Sequence, residues 1–375
     1  MIPFNKPYLH GRELVYIAQA ILSGKISGDG LFTNRCHEFF EHRYGFKKVL
    51  MTTSCTDALE MAAILLDIQP DDEVIAPSYT FVSTVNAFSL RGAKIIFADS
   101  YPDHPNIDPK QIAKLITPKT RAIVVVHYAG VACDMDAVMA IAKQHNIPVV
   151  EDAAQAIDGY YKGKPLGSIG TFGTFSFHET KNIIAGEGGL LVINDEQYIR
   201  RAEIIREKGT NRSSFFRGEV AKYGWVDIGS SFLPSDIIAA YLYAQLENID
   251  EIQARRKAIW HRYYERLNIV LSNSGIELPK LASYSTNNAH MFYLVCESLE
   301  QRTALIQYLK DNGVHAVFHY LSLHNSEYYL DKHIGISLPN SDFFTDTLMR
   351  LPLYYELTDL QVDHICTQIK NFVEL

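Results

Sequence analysis

The chain has 375 residues, 47% of them hydrophobic and 21% charged, which argues against long disordered stretches and for a large core shared between a bigger and a smaller domain. Its formal net charge is −8, and no block of lysine and arginine is large enough to grip a nucleic-acid backbone. The opening Met1-Ile2-Pro3-Phe4-Asn5-Lys6 lacks the basic region and apolar core of a secretory signal. No run reaches the roughly 18 to 20 apolar residues of a membrane span. Cys36, Cys55, Cys133, Cys296 and Cys366 are scattered, with no disulfide or zinc spacing, so a soluble protein of the reducing cytoplasm is expected.

In chain order, short β-rich runs are expected at 48–51, 74–76, 94–97, 122–126, 148–150, 174–177 and 189–193. Helical periodicity fills 56–66 and 135–145 between them, so the fold class is α/β with a mostly parallel sheet. Ligands of such sheets gather beyond the carboxyl ends of the strands, where Ser78, His127, Asp152 and Lys181 fall. A long helical region is expected over 236–270, then a strand at 290–295, a helix at 301–311, and a strand followed by a loop at 313–324. The tail from 341 to 375 reads as two helical stretches on either side of Leu351-Pro352-Leu353. The expected domains are 1–245 and 246–375.

The chemistry concentrates on Lys181. It follows the apolar Phe172-Gly173-Thr174-Phe175-Ser176-Phe177 and precedes the small-residue run Gly186-Glu187-Gly188-Gly189. A lysine in so protected a place has its amine pKa lowered, which favours imine formation near neutrality. Asp152 stands after the apolar Ile147-Pro148-Val149-Val150, with Glu151 between. Alone it would also serve as a helix cap. Together, a lysine for covalent attachment and a carboxylate for a pyridine nitrogen are what a pyridoxal phosphate (PLP) enzyme requires.

Gln155 can reach the cofactor's phenolic oxygen, or can be an ordinary polar helix residue. Ser54-Cys55-Thr56-Asp57 opens a helix and offers backbone amides and a hydroxyl to a phosphate, although a simple N-cap explains the same residues. Ser176 can add a second hydroxyl. Phe81 offers an aromatic face to stack on the ring, or a core residue. His178 and Glu179, close to the lysine in sequence, are expected on the substrate side, or the histidine is hydrogen-bonded packing. His315, His319 and His324 have spacings of four and five outside a helix, which defines no metal site. No Walker lysine loop and no GxGxxG fingerprint occurs.

Taken in order, Ile2-Pro3-Phe4-Asn5, Ser27-Gly28-Asp29-Gly30, Thr53-Ser54-Cys55-Thr56-Asp57, Pro77-Ser78-Tyr79-Thr80-Phe81, His127-Tyr128-Ala129-Gly130, Glu151-Asp152-Ala153-Ala154-Gln155 and Phe177-His178-Glu179-Thr180-Lys181 form a recognisable series. In these motifs the chain resembles the DegT/DnrJ/EryC1/StrS family of PLP-dependent sugar nucleotide aminotransferases over nearly its whole length. The resemblance implies the aspartate aminotransferase fold (PLP fold type I). It assigns the phosphate to Thr56, Asp57 and Ser176, ring stacking to Phe81, the ring nitrogen to Asp152, the phenolic oxygen to Gln155, and the Schiff-base and proton-shuttle roles to Lys181. His178, His319, Tyr320 and His324 are the candidates for shaping the sugar pocket.

The resemblance also implies a homodimer with shared active sites, crossed by the 209–225 stretch. Where many members carry an asparagine that reaches the neighbouring subunit's phosphate, this chain has Ser231, and Leu233 replaces an arginine. Within the family the likeness is to the branch serving enterobacterial common antigen. That branch implies L-glutamate as donor and C4 of dTDP-4-dehydro-6-deoxy-D-glucose as acceptor. Another nucleotide-linked keto sugar, UDP- or GDP-linked and aminated at C4 or C3, is the alternative.

Overall fold

The computed structural model describes residues 1–375 apart from Asn273 and Ile334. Its larger sheet contains β1 (Lys48–Thr52), β2 (Glu73–Pro77), β3 (Lys94–Ala98), β4 (Thr120–Val126) and β5 (Val149–Asp152). A two-stranded hairpin, β6 (Tyr160–Tyr161) and β7 (Lys164–Pro165), separates these from the last two members, β8 (Phe172–Ser176) and β9 (Gly189–Ile193). The order across the sheet is β1-β9-β8-β5-β4-β2-β3. β8, β5, β4, β2 and β3 pair in parallel, and β9 runs antiparallel to both its neighbours.

The side-chain period of two explains why the strands read as unbroken apolar runs. Along β4, Ile123 and Val125 enter one core while Ala122 and Val124 enter another on the opposite face, so both faces are covered. On one face lie α1 (Glu13–Leu22) and α2 (Leu31–Tyr44); on the other lie α3 (Cys55–Leu65) and α4 (Ser83–Ser89). Two connecting helices follow, α5 (Pro109–Leu115) and α6 (Met135–His145). Beyond β9 come α7 (Ile199–Arg206), α8 (Arg212–Phe216) and α9 (Asp236–Leu246), the last packed on α1 and α2. Asp236 fixes that packing from within, accepting hydrogen bonds from the Thr33 amide (2.9 Å), the Thr33 hydroxyl (2.8 Å) and the Phe32 amide (3.3 Å) at the start of α2.

The second layer begins with α10 (Ile249–Val270), which packs on the final helix, α13 (Asp359–Val373). Between them lie β10 (Phe292–Val295), α11 (Leu299–Asp311), β11 (Val317–Phe318), α12 (Pro339–Thr347) and β12 (Leu348–Leu351). The three strands form an antiparallel sheet in the order β10-β12-β11, over a core that includes Trp260, Tyr263, Phe292, Leu305, Met349 and Ile365. Ile2 bridges Val314 and is buried in this second core, so the first residues of the chain return to it.

Three features depart from the sequence reading. The helical region expected over 236–270 is two helices, broken at Glu247 and Asn248. The expected helical tail contains the strand β12, and α1 and α2 had no counterpart in the reading. Among the described residues, no helix is long and apolar enough to cross a membrane.

Candidate active site

A cavity of about 430 Å³ opens where the carboxyl ends of the parallel strands meet the second layer. From the larger layer it is lined by Ser54, Cys55 and Thr56 at the start of α3, Phe81 and Thr84 after β2, Asp152 at the end of β5 and Gln155 beyond it, and Ser176 at the end of β8 with His178 and Lys181 beyond it. From the second layer it is lined by His290, His319, Tyr320 and Arg350, with Phe4 of the N-terminal segment.

The pleat of β5 decides which of two adjacent acids serves this cavity. Glu151 points to the far side, where it accepts from the amides of Gly167 (2.9 Å), Ile169 (2.7 Å) and Gly170 (2.6 Å) and pairs with His127 at 2.9 Å. His127 therefore lies away from the cavity that its place in the sequence suggested. Asp152 turns inward, accepting from the Thr84 hydroxyl at 2.7 Å and the Ala154 amide at 3.1 Å. Burial pushes its carboxyl above the ordinary carboxylate range, opposed by those hydrogen bonds and by Lys181.

Lys181 sits in the loop between β8 and β9. Among the described residues its amine has no hydrogen-bond or ion-pair partner. Burial lowers its pKa, while Cys55 and Asp152 hold it up. That leaves an unpaired amine and a buried carboxylate lining one cavity.

At the start of α3, the Ser54 side chain caps the Asp57 amide at 3.0 Å and leaves the amides of Cys55 and Thr56 unclaimed by the cap. A Cβ added to Gly189 of β9 would sit 2.2 to 2.5 Å from Ser54 and Cys55 backbone atoms, so glycine is what lets the strand approach this cradle. Gln155 accepts from the Ala129 amide at 2.6 Å and donates to the Tyr320 hydroxyl at 3.1 Å. Tyr320 holds a left-handed backbone, φ 57°, uncommon for an aromatic residue and expected where a site fixes a side chain. The Phe81 ring is exposed to the cavity, 6.0 Å from that of Tyr320. These groups fit PLP: amides and hydroxyls for its phosphate, a carboxylate for its nitrogen, an aromatic face for its ring and a free amine for its aldehyde.

The remaining expected residues fall in several places. Thr56 and Ser176 line the cavity, and the Thr56 hydroxyl donates to that of Ser83 at 2.8 Å. His178 also lines it, beside Thr180 (3.0 Å) and Glu187 (3.7 Å). The Asp57 carboxylate instead accepts from the Thr53 hydroxyl outside the lining, and Glu179 is exposed outside it. Ser231 is exposed, paired through its backbone with Glu207, and lines no part of the cavity in its own chain. His319 faces the cavity with Nδ1 2.7 Å from the Tyr128 hydroxyl, and burial lowers its pKa so that the ring is neutral. His324 does not reach the cavity: a 3₁₀ turn over Leu323–Asn325 folds it under, with its Nδ1 2.7 Å from the Ser78 hydroxyl.

Arg350 and His290 were not singled out from the sequence. Arg350 lies on the strand that reads as helical tail. His290 precedes β10, and its only sequence signal was a place in a strand-like run; its Nδ1 lies 2.8 Å from the Asn182 side-chain oxygen.

The DegT/DnrJ/EryC1/StrS aminotransferase family profile matches residues 7–370. The chain belongs to that family. Its members are PLP-dependent and act on nucleotide-linked keto sugars with an amino donor. Among solved structures, the aminotransferase TlmJ of Streptoalloteichus hindustanus is 28% identical, with 100% of this chain and 99% of that one covered and a TM-score of 0.91. Spr1654 of Streptococcus pneumoniae in its PMP (pyridoxamine phosphate) form is 27% identical, with 100% and 99% covered and a TM-score of 0.92. DesV of S. venezuelae, in complex with a ketimine intermediate, is 28% identical, with 100% and 99% covered and a TM-score of 0.90. The aminotransferase is therefore PLP-dependent and of fold type I.

Proposed function

We propose that this aminotransferase moves the amino group of L-glutamate to C4 of dTDP-4-dehydro-6-deoxy-D-glucose, giving dTDP-4-amino-4,6-dideoxy-D-galactose and 2-oxoglutarate. The observation that carries the aminotransferase chemistry is the unpaired Lys181 amine in the cavity that the buried Asp152 also lines. The choice of sugar is supported by the run of motifs shared with the enterobacterial common antigen branch, from Ile2-Pro3-Phe4-Asn5 to Lys181.

When bound, PLP supplies an electron sink that lets a bond at the donor's α-carbon be broken heterolytically. Asp152 keeps a proton on the ring nitrogen. Thr56, Ser176 and the first amides of α3 hold the phosphate, with Asp57 supporting that turn, and Phe81 covers the ring face. Gln155 bonds the phenolic oxygen. Lys181 would hold the cofactor covalently and, once the donor's amine has displaced it there, its freed amine would take the proton from the α-carbon of glutamate and, in the second half-reaction, return a proton to sugar C4. Its lowered pKa suits that exchange. His178, His319 and Tyr320 offer hydrogen bonds to sugar hydroxyls or pyrophosphate, and His324 supports that wall through Ser78.

The active unit in this reading is a cytoplasmic homodimer. Support comes from the exposed Phe216 and Trp225 in the 209–225 stretch, from the exposed Ser231 at the motif position where many members carry an asparagine, and from five free, buried cysteines. The test is incubation with this keto sugar, L-glutamate and PLP, followed by NMR of the product. A C4 amino group in the galacto configuration is expected. A gluco product, or turnover only with a UDP- or GDP-linked keto sugar, would overturn the substrate and leave the aminotransferase standing.

A further inference from the structure

The motif Ile2-Pro3-Phe4-Asn5 has no task in the reaction described so far. The first residues of the chain form a strap between the two layers. At one end the Ile2 amide donates to the Gly313 carbonyl at 2.7 Å, the Ile2 carbonyl accepts from the His315 amide at 3.0 Å, and the side chain is buried in the second core. At the other end the Tyr8 ring stacks on Tyr355 with centres 3.8 Å apart, and the Tyr8 carbonyl accepts from the Gln245 side chain of α9 at 3.0 Å. With both ends held, the residues between them lose little further entropy in staying over the site.

Those residues meet Lys181 from two sides. Phe4 is half-buried and lines the cavity, with the centre of its ring 4.6 Å from the Arg350 guanidinium. Asn5 reaches the loop that carries the lysine: its side-chain amide donates at 3.1 Å to the carbonyl of Glu179, two residues before Lys181. Behind that loop is a second crevice, lined by Asn5 to Tyr8 of the strap and by Lys181 and Asn182, with a volume of about 10 Å³. That leaves room for one water molecule at most. The strap therefore closes the Lys181 loop against solvent on the side away from the cavity.

Burial is the largest influence on the Lys181 amine and lowers its pKa; Cys55 and Asp152 oppose it, and Arg350 adds to it. His290 and His319 feel the lysine's charge from the second layer, and Lys6, Glu179 and Arg256 line the crevice. Of all these groups only Lys6 belongs to the strap, and it is engaged in an ion pair with Glu356 at 2.5 Å. What the strap brings to the lysine is cover and not charge. We propose that Phe4 and Asn5 are positioning residues for Lys181: the strap holds the lysine's loop against the second layer and keeps water from the amine that acts as a base. The proposal rests on the aminotransferase reading, in which Lys181 is that base.

The test uses the full chain and the variants Phe4→Ala, Phe4→Leu, Asn5→Ala and Asn5→Gln. In the PLP-loaded proteins, stopped flow gives the rate at which saturating L-glutamate bleaches the cofactor's visible band. In the same proteins freed of cofactor, trace acetylation across a range of pH, read by peptide mass mapping, gives the midpoint at which Lys181 becomes reactive. Both alanine variants should move that midpoint up toward the ordinary 10.5 by about half to one pH unit, because water then reaches the charged amine. A base shifted by that much is about 3- to 10-fold less available near neutrality, and bleaching should slow by the same factor. Phe4→Leu keeps apolar cover and Asn5→Gln keeps a donor, so each should recover most of both changes.

Midpoints within about 0.2 pH unit of the parent, with rates within about twofold, would overturn the proposal, since that is less than one hydrogen bond is worth. So would variants that melt earlier while their midpoints are unmoved, the mark of a strap with a structural role only. Should Phe4→Ala not fold, Asn5→Ala decides, because it removes one exposed hydrogen bond. If borohydride fixed the cofactor to another lysine of the parent, the aminotransferase reading of Lys181 would fall and the proposal with it. With the cofactor on Lys181, unmoved midpoints remove the proposal alone.

Discussion

Replacing Asp152 by Asn removes one charge from the site and little else. The amide matches the carboxylate in size, and its oxygen can still accept from the Ala154 amide, 3.1 Å away in the parent. The Thr84 hydroxyl, which donates to Asp152 at 2.7 Å, can rotate to accept from the new amide while keeping its 2.8 Å contact with Thr80. The fold should therefore lose at most about 1 kcal/mol. The charge is another matter, because it is buried and faces the place where positive charge must be held on the ring nitrogen. A preorganised group of this kind contributes about 3 to 4 kcal/mol to a transition state, so kcat should fall by about 10² to 10³. Cofactor affinity should fall by about tenfold or less, since the phosphate site proposed above is the start of α3 and not Asp152. Stopped-flow measurement of the glutamate half-reaction at saturating PLP, with equilibrium dialysis for the cofactor, separates the two effects. A half-reaction within about threefold of the parent would leave Asp152 as a structural cap, because a lost transition-state charge costs far more.

Lys181→Ala should abolish turnover while PLP binds noncovalently, and borohydride reduction of the parent followed by peptide mapping should place the phosphopyridoxyl group on Lys181; a label on another lysine would refute the assignment. The same residue sets a pH dependence in the cofactor-free protein. Its folded pKa lies below the ordinary lysine value of 10.5, so between the two the unfolded chain binds more protons and stability rises with pH. Lys181→Met should flatten that slope and stabilise the cofactor-free protein at neutral pH, and urea titrations showing parallel pH profiles would count against it. Asp236→Ala should cost about 3 kcal/mol in urea unfolding by leaving the Thr33 and Phe32 amides of α2 unsatisfied; a loss below about 1 kcal/mol would show that water replaces the carboxylate there.

The larger sheet was legible because its strands are buried on both faces, so each reads as a short apolar run wherever it pairs. Its helices were legible where a cap and a strand bounded them, as Ser54 and β1 bound α3. The strand β12 was hidden for the opposite reason. Its four residues carry Arg350 in the third position and gain their conformation from β10 and β11, whose pairing residues lie more than thirty positions away along the chain. Pairing over that distance leaves no local period to read.

The same distinction runs through the site. Asp152 ends one legible strand and Lys181 lies in the loop that follows another, and parallel pairing of β5 with β8 brings both to one cavity. The choice of Asp152 over Glu151 follows from the pleat, which assigns alternate residues to opposite faces once the strand is placed. His324 shows the limit of reasoning from spacing: a turn of three residues sends it under the wall that His319 and Tyr320 face. Arg350 lies beyond that limit altogether. It lines the cavity with its guanidinium 4.6 Å from the centre of the Phe4 ring, a pairing of residues from nearly opposite ends of the chain.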